Sequence, residues 1–211
     1  MRAPLLLALL VEACACPRTS PGELGHFDAA GPLRDAVFQG EQAEVARLAT
    51  ALEGGPSTEG GGVEAERAVL AVHGAAGFLM ASQDLVDAGE GLAAMARACG
   101  DCHAVSVDGA PGAATLARRA MDDASMDRQH ARIADGLWWS LVGHDPDTAG
   151  RALVRACAGP IVPPEGPGGD LAAGILQQAV GAEGGELERA EIVFAAVAGR
   201  CAACHALQQE E

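Results

Sequence analysis

Apolar residues recur at helical spacing along most of the chain, and no segment alternates strictly between apolar and polar residues. Ile133, Leu137 and Leu141 show the pattern clearly, because residues four apart lie on one face of a helix. We therefore predict eight helices in two sets of four. The first set covers 26–38, 41–53, 63–81 and 84–104, and the second covers 116–142, 145–157, 169–181 and 184–208.

Several residues between these segments are typical of helix ends. Gly40 and Gly143 follow the first helix of each set and predict its end, since glycine readily adopts left-handed dihedral angles. Asp145 followed by Pro146 predicts a helix start, with a capping side chain and a proline at the first helical position. His144 falls in the turn between them, and we expect its side chain to be solvated.

The first predicted helix contains a proline. Pro32 lacks the backbone N–H that a helix interior uses, and its ring collides with the preceding turn. We expect the helix to be kinked there or to begin near Pro32, which would leave His26 in the turn before it.

Composition supports an all-α chain and excludes one class of function. The 211 residues are 49% apolar but only 3% aromatic, a composition that disfavours strands. The net charge of −15 argues against nucleic-acid binding, which requires a basic surface. Such a surface instead attracts partners with basic docking surfaces.

The first 16 residues are typical of a secretory signal peptide. Arg2 precedes an apolar run, Ala3–Val11, that is too short to span a membrane. The small residues and cysteines that follow resemble a bacterial lipoprotein processing site, with Cys14 or Cys16 as the lipidated residue. The alternative is an ordinary signal peptide cut near Ala13 or Ala15. Either way, we expect an exported, periplasmic protein, and lipidation would tether it to a membrane.

Two segments carry the pattern C-x-x-C-H: CGDCH at 99–103, the first motif, and CAACH at 201–205, the second motif. This pattern is the attachment signature of c-type haem. Its two thiols form thioethers with the two vinyl groups of one porphyrin, and the adjacent histidine supplies an imidazole to the iron. The predicted attachment residues are Cys99, Cys102, Cys201 and Cys204. The competing interpretation is a zinc site in which these four cysteines bind one ion.

The two motifs belong to an internal repeat. They lie 102 residues apart, and a Gly/Pro-rich segment precedes the third predicted helix of each set. A turn-rich stretch at 107–112 separates the copies. We therefore divide the chain into a signal peptide at 1–16, a first unit at 17–106 and a second unit at 107–211.

A haem motif near the end of the fourth helix resembles the class II c-type cytochromes, the four-helix group that includes cytochrome c prime. The resemblance covers both units and implies an all-α chain of two tandem four-helix-bundle units, each ending in a CxxCH motif. It implies two covalently bound haem c groups with His103 and His205 as proximal iron ligands. The tandem duplication and the early histidines depart from the family pattern.

In that family, a side chain from the first helix lies over the distal face of the haem. The resemblance makes His130 the candidate distal ligand of the second haem, with Met126 as its rival. His26 is the equivalent candidate for the first haem, with His73 and Met80 as competitors.

Two further features remain open at this level. The pair Trp138-Trp139 could pack on a haem edge or simply fill the core. Cys157 has no partner once the other cysteines are assigned, which leaves a buried thiol or an intermolecular disulfide.

Haem iron with two axial imidazoles has no open site for a substrate, which leaves one-electron exchange. We therefore expect an electron carrier and not an enzyme, serving redox partner proteins. The alternative is a protein that binds a gas or another small ligand at one five-coordinate iron. Peroxidase activity, which requires an open iron and a distal acid-base group, is a third interpretation.

Overall fold

The computed structural model describes residues 26–53, 62–105, 129–158 and 184–209. These segments form seven helices and contain no strand, which confirms the all-α prediction. The helices are α1 (His26–Gln39), α2 (Gln42–Glu53), α3 (Val63–Ala81), α4 (Leu85–Val105), α5 (Gln129–Val142), α6 (Pro146–Ala158) and α7 (Glu186–Gln209). None of these seven is both long enough and apolar enough to cross a membrane. The leader, the turn at 107–112, Met126 and the predicted helix at 169–181 lie outside the described residues.

Helix α1 begins at His26 and continues through Pro32. The expectation that the helix begins near Pro32 is therefore wrong, whereas the predicted range of 26–38 is confirmed. A residue before proline normally avoids helical dihedrals, because its backbone N–H and its β-carbon clash with the proline ring. Here that residue is Gly31, which has no β-carbon to meet the ring.

The end of α1 is a Schellman motif. Gly40 has a φ of 72°, in the left-handed region that favours glycine. Its N–H donates to the carbonyl of Val37 at 3.0 Å, and the N–H of Glu41 donates to the carbonyl of Ala36 at 2.9 Å. These two bonds use the carbonyls of Ala36 and Val37 and leave that of Phe38, the next residue, available to another donor.

Helix α5 ends in the same way. The N–H of His144 donates to Leu141 at 3.1 Å, and the N–H of Asp145 donates to Ser140 at 2.8 Å. The left-handed position is occupied by His144, with a φ of 49°. The carbonyl left available is that of Val142, the counterpart of Phe38 in the second unit.

The predicted helix ends around this turn are confirmed with one adjustment. Gly143 directly follows the last residue of α5, but the left-handed conformation falls one residue later, at His144. Helix α6 begins at Pro146, and Oδ1 of Asp145 accepts the N–H of Thr148 at 3.0 Å. Asp145 is therefore a true N-cap, as its sequence predicts.

Helices α4 and α7 form the largest helix–helix contact among the described helices, and they run antiparallel. Near one end of the contact, a β-carbon on Gly89 would collide with the backbone of Gly199 and Ala195. Near the other end, Arg97 donates to Oε1 of Glu188 at 3.1 Å. Each motif lies toward the C-terminal end of its helix, so the two motifs lie at opposite ends of the pair. At a rise of about 1.5 Å per residue, they are roughly 25 Å apart along the axes.

The remaining helices pack around this pair and connect the two units predicted from sequence. In the first unit, α1 packs on α2, α2 on α3 and α3 on α4, while α6 packs on α5 and α7 in the second. Helix α1 also packs on α7, and α5 packs on α4. Arg34 on α1 donates to Asp135 on α5 at 2.9 Å. Residues of all seven helices thus contribute to one buried core.

Aromatic residues lie at the centre of that core. Trp138 is 1% exposed, and its ring centroid lies 5.7 Å from that of Phe194. The ring of Phe38 meets Phe194 edge-on at 6.0 Å. This arrangement supports the core-packing interpretation of Trp138, because the ring is buried against Phe194 on α7.

Candidate functional site

The first motif occupies the C-terminal part of α4, where the helix brings its three functional side chains together. Cys99, Cys102 and His103 are spaced i, i+3 and i+4, so they lie on one face. Cys99 is 4% exposed, and the other two are partly exposed. The second motif lies on α7, where Cys201 and His205 are also partly exposed. Cys204 lies in the same helix, and its side chain is outside the described part of the structure.

Both motif histidines bond a backbone carbonyl through Nδ1. Nδ1 of His103 lies 2.8 Å from the carbonyl oxygen of Val142, and Nδ1 of His205 lies 2.6 Å from that of Phe38. A carbonyl oxygen only accepts, so Nδ1 carries the proton in both rings. The lone pair of a neutral imidazole is then on Nε2, the nitrogen through which a histidine in this tautomer binds a metal.

The local structure of α1 and α5 explains why these two carbonyls are available. The last carbonyls of a helix have no partner within it, and the Schellman motif supplies partners to the two preceding residues only. Phe38 and Val142 occupy the same position in their helix ends. His205 and His103 occupy the same position in their motifs. The same interaction is therefore built twice.

Each motif lies in one of the two units predicted from sequence, and the helix end against it lies in the other. A β-carbon on Gly100, inside the first motif, would overlap the carbonyl oxygen of Leu141 on α5. A β-carbon on Gly40, at the end of α1, would lie 2.9 Å from the carbonyl oxygen of Ala202 in the second motif. Both contacts need a glycine on one side because backbone meets backbone. Sequence reasoning missed this role of Gly100, although a glycine inside a helical motif is itself a signal of close approach.

An ion-pair network borders the first motif. Oδ1 of Asp101 lies 3.1 Å from Nε of Arg97 and 3.1 Å from Nδ1 of His144. Arg97 also bonds Glu188 on α7. The expectation that His144 is merely solvated is therefore wrong, since its ring lies beside Asp101 and its Nδ1 is buried without hydrogen-bond geometry. In the second motif the residue at the position of Asp101 is Ala203, so the two sites differ in charge.

The Cys99 thiol is held in its uncharged form. Burial raises its pKa to about 12, and repulsion from the nearby Cys102 adds to the effect. A thiolate at this position would lose its solvation, whereas a thiol or a thioether carries no charge. The pocket around Cys99 is thus suited to neutral sulfur.

The predicted distal residues are only partly described. His26 is the first residue of α1 and His130 the second of α5, and both side chains lie outside the described residues, so their role as ligands stays a prediction. On α3, Nε2 of His73 is buried without a hydrogen-bond partner. Met80 packs against the core, and its sulfur accepts the hydroxyl of Thr50 at 3.1 Å. Cys157 lies on α6, and its side chain is likewise outside the described part of the structure.

The geometry excludes a zinc ion shared between the motifs. A four-cysteine site needs all its sulfurs about 2.3 Å from one ion, but Cys99 and Cys201 lie at opposite ends of the α4–α7 pair. Among the residues in the described segments, no cluster of three or more His, Cys, Asp or Glu side chains could hold a metal ion. The described side chains therefore do not by themselves complete a metal site around His103 or His205.

One open cleft lies away from the motifs. It has a volume of about 660 Å³ and is lined by Pro146, Asp147, Gly150, Arg151, Val154, Arg155 and Glu186. No residue of either motif lines it, so it has no evident part in the chemistry of the histidines.

Known proteins give no independent indication of function. Comparison with protein families, with curated proteins and with solved structures finds no match to this chain. What the chain does must therefore be inferred from its motifs and their geometry.

Proposed function

We propose that this protein is an exported dihaem c-type cytochrome that carries single electrons between redox partners. In this proposal the chain folds as two tandem four-helix units, each with one haem c. The attachment residues are Cys99 and Cys102 in the first unit and Cys201 and Cys204 in the second. His103 and His205 are the proximal iron ligands, and His26 and His130 are the candidate distal ligands.

The paired histidine–carbonyl contacts are the observation that carries this proposal. Histidines that bind metals almost always donate the other ring N–H to a carbonyl, a carboxylate or water. His103 and His205 both do so, each at the place where its motif meets a helix end. The contact fixes the tautomer and the orientation of the ring, and it raises the basicity of Nε2.

The other residues of the first motif fit a covalently bound haem. The two thiols and the imidazole share one helix face, as two thioethers and an axial ligand on one porphyrin require. The buried position of Cys99 suits an uncharged thioether. When bound, the haem supplies one-electron exchange at its iron, with a potential set by axial ligands, burial and hydrogen bonds.

The location of the motifs and the charge of the chain bear on its partners. The motifs lie at opposite ends of the α4–α7 pair, so each end offers its own point of contact. The net charge of −15 favours partners with basic docking surfaces and disfavours nucleic acid. A lipid on Cys14 or Cys16 would hold the chain at a membrane.

Mass spectrometry and absorption spectroscopy test the proposal together. The chain, produced with a competent haem-maturation system, should carry two haem groups per molecule. Cys99→Ser combined with Cys102→Ser should reduce this to one, while Cys157→Ser leaves both in place. Low-spin bands that do not respond to carbon monoxide are expected for an electron carrier. A carbon monoxide shift in half of the haem would favour the small-ligand alternative, and a chain without haem would overturn the proposal.

A further inference from the structure

We propose that the two haem sites are interlocked, with each proximal histidine positioned by the first helix of the other unit. This inference rests on the proposed function. It adds to each haem site a helix end that comes from the other unit. The end of α5 would be a positioning element for the haem on His103. The end of α1 would play the same part for the haem on His205.

The hydrogen bonds give the first line of support. His103 lies in the first unit, and its acceptor, Val142, lies 39 residues later in the second. His205 lies in the second unit, and its acceptor, Phe38, lies 167 residues earlier in the first. Second-shell partners of this kind typically change metal affinity or activity by about 10- to 100-fold when lost. Each iron ligand would thus depend on a segment from the other repeat.

Backbone contact gives the second line of support. Gly100 lies so close to Leu141 that no β-carbon fits between them, and a β-carbon on Gly40 would lie 2.9 Å from the carbonyl oxygen of Ala202. A helix end in such contact cannot shift without displacing the motif, because the approaching atoms are backbone on both sides. The acceptor carbonyl and the histidine therefore move together.

The two residues with left-handed backbone conformation, Gly40 and His144, allow the crossed contacts to be tested. Gly40 and His144 create the turns that leave the two carbonyls available, with φ values of 72° and 49°. A β-branched residue is strongly disfavoured in this conformation, whereas glycine adopts it without strain. Neither position is a motif residue, although each also borders the motif directly. A β-carbon on Gly40 would lie 2.9 Å from the carbonyl oxygen of Ala202, and His144 lies beside Asp101.

Gly40→Val and His144→Val in the full-length holoprotein form the central experiment. Gly40→Val, in the first unit, should shift the NMR signals of the second haem and raise its reduction potential, because His205 loses its acceptor. His144→Val, in the second unit, should do the same to the first haem. The variant without Cys99 and Cys102 retains only the second haem and thereby assigns the signals. His144→Gly should restore the signals and potential toward those of the unsubstituted protein, although the contact with Asp101 is lost.

The controls separate this inference from general destabilisation. Gly74→Ala places a methyl group in open space on α3 and should leave both haems unchanged. If a valine variant loses its helical circular dichroism, Gly40→Ala and His144→Asn provide milder substitutions, judged by the same shifts. The inference is overturned if each substitution affects the haem of its own unit, or if neither haem responds. A chain that binds no haem at all would instead refute the proposed function.

Discussion

His205 donates its Nδ1 proton to the carbonyl of Phe38 at 2.6 Å, although 167 residues separate them in the chain. The contact joins the last described helix to the first. His103 makes the equivalent contact with Val142. The two motif histidines are therefore fixed by tertiary structure and not by their own helices alone, and this dependence leads to measurable consequences.

Gly100→Ala should destabilise the protein, because its β-carbon would overlap the Leu141 carbonyl. We expect a loss of about 2–3 kcal/mol in the free energy of unfolding, as for other insertions into tightly packed sites. Gly74→Ala is the matched control, since its methyl group meets nothing within 4 Å. It should stabilise the helix by about 0.5–1 kcal/mol. Chemical denaturation measures both, and equal stabilities would show that α4 and α5 are not in contact here.

Arg97→Ala should weaken the contact between α4 and α7. Arg97 is partly buried and bonds both Asp101 and Glu188 at 3.1 Å. Its removal leaves two half-exposed carboxylates without their cation, so the free energy of unfolding should fall by about 0.5–1 kcal/mol. Arg47→Ala removes an exposed ion pair with Glu44 and should have no measurable effect. Thermal or chemical unfolding of the two variants compares them, and identical behaviour would contradict the bridging role.

Cys99 should react slowly with iodoacetamide in the folded, haem-free chain. Its pKa of about 12 leaves roughly one thiol in 10⁴ ionised at pH 8, whereas an ordinary thiol is substantially ionised. Unfolding in urea should therefore accelerate alkylation of Cys99 by about a thousandfold, as followed by peptide mass spectrometry. Comparable rates in the folded and unfolded chains would disprove the burial of this thiol.

The raised pKa of the Cys99 thiol also predicts how the free energy of unfolding of the haem-free chain depends on pH. The folded pKa is raised above the ordinary value of 9.0, so the unfolded chain loses this proton first. The stabilising contribution is complete below pH 9 and is lost as the pH rises from 9 toward 12. Cys99→Ala should flatten this part of the curve of unfolding free energy against pH. An unchanged curve would assign the alkaline loss of stability to other groups.

His130→Ala should open one iron of the holoprotein to carbon monoxide, if His130 is its distal ligand. The reduced spectrum should then shift for half of the haem. Gln129→Ala, at the preceding position of α5, is the control and should leave the spectrum unchanged. A His130→Ala spectrum that matches the original would remove this residue from the ligand set.

Much of the fold was predictable from local sequence, because helix ends have local causes. The ranges of α2 and α3 match the apolar periodicity closely, and Asp145 caps α6 as expected. Pro32 lies inside α1 all the same, and the residue before it, Gly31, has no β-carbon to meet the proline ring.

The candidate site was predictable only in part. The motif residues follow from a short pattern, but their acceptors do not. The carbonyls of Phe38 and Val142 carry no side-chain signature, and they reach the histidines only through packing between the units. His144 likewise resembled a solvated turn residue because its partner, Asp101, is distant in sequence.

The crossed contacts of α1 and α5 have the form of an isologous interface, in which two like surfaces grip each other reciprocally. In a dimer of identical subunits, every substitution would appear at both ends. Within a single chain that restriction does not apply. Gly100 faces Leu141 at one end while Ala202 faces Gly40 at the other, and Asp101 is matched by Ala203. The molecule can thus keep a symmetric framework while its two poles diverge in charge and shape.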